Sequence, residues 1–156
     1  MGLSVRGPGR YPCPMLRDWT FHAALLAALL YWGLLYAFTT PVIHWGWPLR
    51  APWLFLWPAL FYPILEEILF RGLVQDLAHR HLRPWHLGPI SHANLLTSLL
   101  FTALHFIHQP PLWAAAVIFP SLVFGYFKDK YQGLTAPILL HVFYNAGFFW
   151  MFAAQG

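Results

Sequence analysis

Pro63-Ile64-Leu65-Glu66-Glu67-Ile68-Leu69-Phe70-Arg71-Gly72 sets two adjacent carboxylates and a guanidinium in a run that is otherwise almost wholly apolar. The run begins near Trp53 and reaches the length of about 20 residues that a helix needs to cross a bilayer. Charge at that depth is costly, so an ionisable residue inside a span marks a functional site by default. This stretch therefore predicts an all-α membrane bundle with a polar centre.

The composition agrees. The chain has 156 residues, 59% of them hydrophobic and 19% aromatic, and only 9% charged. Its mean hydropathy is +0.53. Soluble domains carry about a quarter charged residues. The formal charge of +4 could suggest nucleic acid. However, the basic residues are scattered through loops beside apolar runs, so membrane topology explains them and no nucleic-acid partner is expected. Cys13 is the single cysteine, which excludes an intrachain disulfide and a thiolate metal cluster. It reads as an unpaired thiol in an N-terminal tail, with acylation beside the membrane as the alternative.

Outward from the opening stretch, the chain divides into a cytoplasmic tail over residues 1–17 and one transmembrane domain over residues 18–156, with five spans. Span 1 covers about residues 19–38. It is longer than the roughly 7–15 apolar residues of a signal peptide, carries Tyr31, Trp32 and Tyr36, and is read as retained. Trp45 and Trp47, in a proline-punctuated connection, suit a membrane–water interface. Span 2 covers about residues 53–73, can continue through Ala78, and contains Pro58 and Pro63, which predict a kink or local unwinding. A basic loop rich in histidine follows, and its histidines read as solvated. Span 3, about residues 94–108, is short for a crossing and is expected to start within the membrane plane or to tilt strongly. Span 4 covers about residues 112–127 and ends at a turn marked by Lys128-Asp129-Lys130. Span 5 runs from about residue 134 to the C-terminus. Arg6, Arg10, Arg17, Arg71, Arg80, Arg83, Lys128 and Lys130 then fall on one side and Arg50 on the other. That asymmetry predicts a cytoplasmic N-terminus.

Glu66, Glu67, Arg71, His105, His141 and Asn145 remain inside the spans. Glu67 and Arg71 are four apart with the acid first, the favourable order for a helical ion pair. Glu66 lies about 100° round the helix and needs another partner. His105 shares a face with Phe101, and His141 shares one with Asn145. Three polar faces in an apolar bundle are expensive unless they meet. One site is the simplest arrangement: Glu66, His105, His141 and Asn145. A carboxylate can act as general base, an imidazole can hold a water, and a second imidazole with a carboxamide can donate to a forming oxyanion. Those are the parts for attack of water on an amide. Ser98 and Ser121 have no matching base, and Ser121 has no evident partner, so neither is read as a nucleophile. The alternative for each polar group is structural: helix–helix hydrogen bonding by the His and Asn, and an ion-pair network around Arg71.

Glu66-Glu67-x-x-x-Arg71, Phe101-x-x-x-His105 and His141-x-x-x-Asn145 together resemble the three ordered motifs of the CPBP intramembrane proteases, the CAAX-protease and bacteriocin-processing (Abi) family. Gly133-Leu134-Thr135-Ala136-Pro137, leading to His141, resembles the setting of the third motif. The resemblance implies a glutamate-dependent endopeptidase acting in the membrane on a membrane-anchored protein or peptide. By motif position Glu66 is the base, His105 helps activate water, His141 and Asn145 form the oxyanion hole, and Glu67, Arg71 and Phe101 support them. It implies no cofactor in the glutamate scheme, with zinc held by Glu66 and the two histidines as the minority reading. The short chain favours a bacterial inner-membrane protein that processes proteins or cleaves C-terminal sorting signals. Trimming of prenylated tails, bacteriocin maturation and self-immunity are the alternatives. A non-catalytic immunity protein and a proton-coupled transporter are the competing classes.

Overall fold

The computed structural model describes residues 15–152 apart from Thr40 and Val42. Cys13, Arg6, Arg10 and most of the expected tail therefore lie outside the described residues. Besides short turns of helix at Met15–Arg17 and Trp47–Arg50, the described residues form five long helices: α1 (Trp19–Thr39), α2 (Pro52–His81), α3 (His92–His105), α4 (Pro111–Tyr131) and α5 (Thr135–Phe152). By length and composition α1, α2 and α4 can cross a membrane. With 14 residues, α3 rises only about 21 Å, short of a hydrocarbon core of about 30 Å. Leucines such as Leu26, Leu30, Leu65 and Leu69 stay exposed on the outside of the bundle, as a lipid-facing surface requires.

The opening stretch sits in α2, where the local unwinding expected at the prolines takes the form of a π-helical turn over Trp57–Phe61. An α-helical segment, Tyr62–Glu67, follows, and a second π-helical stretch, without a proline of its own, covers Ile68–Val74. Proline lacks the N–H that an α-helical rung needs. An extra residue in the turn shifts the rungs to i−5, as in the bond from Tyr62 N–H to Trp57 O. Glu66 and Glu67 occupy the regular segment between the widened ones.

A two-residue hairpin pairs β1 (His86–Leu87) with β2 (Ile90–Ser91) and turns at Gly88, whose φ of 58° suits glycine. It delivers Ser91 as the cap of α3, where its hydroxyl accepts from Asn94 N–H at 3.0 Å. Asn94 then donates to Leu122 O at 2.9 Å. α4 passes so close to this amide that a Cβ on Gly125 would collide with it. α4 also runs past the expected turn. Lys128, Asp129 and Lys130 form its last helical turn, where lysines complement the exposed carbonyls. Lys128 pairs with Asp76 at 3.0 Å, and Lys130 pairs with Asp18. Asp129 accepts from Gln75 and His79, each at 2.7 Å, and from Ser91. His79 is thus tied to α4, where full solvation was expected.

The apolar core joins α1, α4 and α5 through Phe21, Ala24, Phe124, Phe127, Ala136 and Leu140. At the other end of α1, Trp32 packs so closely on α5 that a Cβ on Gly147 would overlap its ring. The interfacial tryptophans are hydrogen-bonded as well as exposed. Trp47 Nε1 donates to Trp150 O at 3.0 Å, and Trp150 Nε1 donates to Trp45 O at 3.1 Å.

Candidate active site

Glu67 and Arg71 form the predicted ion pair at 3.2 Å, and both side chains are fully buried. Burying two charges is costly unless further hydrogen bonds hold them. Ser121 supplies these, since Arg71 Nη2 donates to its Oγ at 2.7 Å and to its carbonyl at 2.9 Å. The expectation that Ser121 lacks a partner is therefore corrected: in space, 50 residues away along the chain, it anchors the arginine. The guanidinium also lies 4.9 Å from the Phe101 ring and 5.7 Å from that of Phe124, both within cation–π range.

Glu67 reaches further than an ion pair. Its Oε1 also accepts from His141 Nδ1 at 2.8 Å. Phe124 stacks on the same imidazole with centroids 4.8 Å apart, and Phe101 meets it edge-on at 6.0 Å. The ring is fixed in position and tilt, and its other nitrogen, Nε2, points towards Glu66, whose Oε2 lies 3.6 Å away. That is too long for a hydrogen bond. Glu66 is therefore within ion-pair distance of a protonated His141 without being hydrogen-bonded to it, and its side chain is 34% exposed.

His105 ends α3, where the last turn brings its Nδ1 to 2.8 Å from Phe101 O. A carbonyl only accepts, so Nδ1 carries the proton and Nε2 of the neutral ring is an acceptor. The two rings are 4.5 Å apart, the close i, i+4 relation that the sequence places on one face. Phe101 also meets Phe70 at 4.8 Å, so one buried ring braces α2, α3 and α5 together. Asn145 donates from Nδ2 to Pro58 O at 3.0 Å, across from α5 to α2.

These residues share one space. Glu66, His105, His141 and Asn145 all line a cavity of about 670 Å³. Its remaining wall is mainly aromatic and aliphatic, including Tyr31, Trp32, Tyr62, Trp113 and Tyr144, with Gln109 as a further polar group. Glu67 and Arg71 lie behind that wall. Three parts of the arrangement are absent from the sequence reading: Ser121, Phe124 and the Pro58 carbonyl. Ser121 and Phe124 are three apart on the buried face of α4, so helical spacing carried a signal for both. The Pro58 carbonyl carries no side-chain signal. Among the described residues, no group of three or more His, Cys, Asp or Glu is arranged to hold a metal ion.

The bundle thus gathers carboxylate, imidazole and carboxamide groups round one cavity. Residues 48–147 match the family model described as type II CAAX prenyl endopeptidase Rce1-like. The chain belongs to this family of membrane-embedded proteases, within the CPBP group, and the matched region runs from before α2 into α5. Neither the curated proteins nor the solved structures gave a match.

Proposed function

We propose that this protease cleaves a membrane-anchored protein or peptide by water activated at Glu66, and that the shared cavity carries the reading. Water placed between the Glu66 carboxylate and His105 Nε2 gives its proton to Glu66. The hydroxide attacks the scissile carbonyl carbon, and the negative charge moves to the carbonyl oxygen. Asn145 Nδ2–H stabilises that oxyanion, together with His141 Nε2–H when both ring nitrogens carry protons. Collapse breaks the C–N bond, and the proton held by Glu66 passes to the leaving nitrogen. A carboxylic acid and an amine result, so atoms and charge balance. Glu67, held by Arg71, orients His141 and takes no part in the proton transfers.

The apolar wall supports a substrate that arrives from the lipid, near its membrane anchor. A bacterial inner-membrane setting, with cleavage of C-terminal sorting signals or related processing, fits the basic residues predicted on the cytoplasmic side.

Glu66→Gln keeps the shape and removes the base. Cleavage of a membrane-anchored substrate in reconstituted vesicles should fall by at least about 100-fold, the lower range for a general base. Cleavage near the wild-type rate would refute the scheme. Activity should survive strong chelators, and a loss restored by zinc would favour the metal alternative.

A further inference from the structure

Asn145 is the one member of the proposed set held by a backbone atom of another helix, and that atom is free because of a missing amide. Over Trp57–Phe61 the rungs of α2 run from residue i to i−5, and Tyr62 N–H is committed to Trp57 O. The next rung in this register would run from residue 63 to Pro58 O. Residue 63 is proline and has no N–H to donate. Buried carbonyls that lose a helical partner generally find another, and Pro58 O accepts from Asn145 Nδ2 at 3.0 Å. A carbonyl cannot donate, so this bond also decides which end of the carboxamide faces α2.

We infer that Pro63 is a positioning residue for Asn145: by withholding an amide from Pro58 O, it leaves a rigid acceptor that fixes the carboxamide. One Nδ2 hydrogen is spent on that carbonyl and the second is left for the cavity, which Pro58 and Asn145 line together. An N–H at position 63 would compete for the same oxygen and free the carboxamide to rotate. Pro63 is itself buried and does not line the cavity, so nothing in its side chain gives it this importance. The inference rests on the proposed role of Asn145 in oxyanion stabilisation.

The test begins with a membrane-anchored peptide that the wild type cleaves in vesicles, and with Glu66→Gln as its control. If Glu66→Gln cleaves normally, the proposed function fails, independently of Pro63. With that control inactive, two replacements at position 63 are compared: Pro63→Ala, which supplies an N–H, and the α-hydroxy-acid counterpart of alanine, whose ester linkage has none. Pro63→Ala should lower kcat by at least about tenfold with KM little changed, the scale of a misplaced group. The ester should recover most of that loss. In an Asn145→Ala background, Pro63→Ala should add nothing further. Equal losses for both replacements, an unaltered kcat in Pro63→Ala, or additive losses with Asn145→Ala would each overturn the inference. So would failure of Pro63→Ala to fold, whether or not the ester folds, since position 63 would then serve the architecture.

Discussion

Glu67 Oε1 lies 2.8 Å from His141 Nδ1, closer than the Glu66 carboxylate on the other side of the ring. The carboxylate hydrogen-bonded to the histidine is the one buried behind the cavity, and the one that faces the cavity lies 3.6 Å from the ring, beyond hydrogen-bond reach. Two neighbouring glutamates are thus separated into an orienting group and an accessible one by about 100° of helix rotation.

Glu67→Gln tests the orienting half. The amide keeps the volume but loses the charge that holds Arg71 and His141 in line. We expect kcat to fall about 10- to 100-fold with KM changed much less, in keeping with a misplaced catalytic group. Steady-state kinetics on the reconstituted protein would show this split. Combining the change with His141→Ala should cost no more kcat than His141→Ala alone, and an additive loss would remove Glu67 from the histidine's support.

Ser121→Ala removes one of the two hydrogen bonds that Ser121 gives Arg71 and leaves the carbonyl contact in place. A buried hydrogen bond to a charged group is worth about 1.5–3 kcal/mol. Unfolding in mixed detergent should register a loss of that size, with proteolytic activity retained. An unchanged midpoint would show that the guanidinium finds an equivalent partner.

Asp18 supplies a pH-dependent contact just before α1. Its bonds with Lys130 and then Tyr131 hold its carboxyl well below the usual carboxylate range. A depressed folded-state pKa stabilises the protein above the unfolded value, about 3.9, and that stability is lost as pH falls through the folded value. Acidification below about pH 4 should therefore weaken the attachment of α1 to α4. Thermal scans against pH would reveal it, and Asp18→Asn should flatten the acid limb. The same slope in wild type and variant would assign the effect elsewhere.

The helices that carry the site, and the relation of Glu67 to Arg71, were legible in the sequence because both follow from periodicity. An i, i+4 pair meets on any helix, and apolar runs broken by proline and basic residues mark the spans closely. The partners of those residues were less legible. Ser121 is 50 residues from Arg71, and only the packing of α4 on α3 and α5 brings it there. The form of the unwinding, π-helical turns, was also hidden, since proline reports a lost hydrogen bond without stating how the backbone recovers it. The end of α4 was placed too early because Lys128 and Lys130 look like loop residues until Asp76 and Asp18 appear opposite them.

The tryptophan bonds at the end of α5 complete a pattern. α2 and the segment before it are fastened to α5 at three levels: Glu67 with His141, Pro58 with Asn145, and Trp45 and Trp47 with Trp150. α1 is tied to α4 near its start, through Asp18 and Phe21, and to α5 further along, through the Tyr144 hydroxyl on Ala24 O and the Trp32 ring against Gly147. In mechanical terms α5 is the beam of the structure, braced by α2 on one side and by α1 on the other. Three of the four proposed reacting groups hang from α2 and α5, so their spacing is set by that one braced pair of helices.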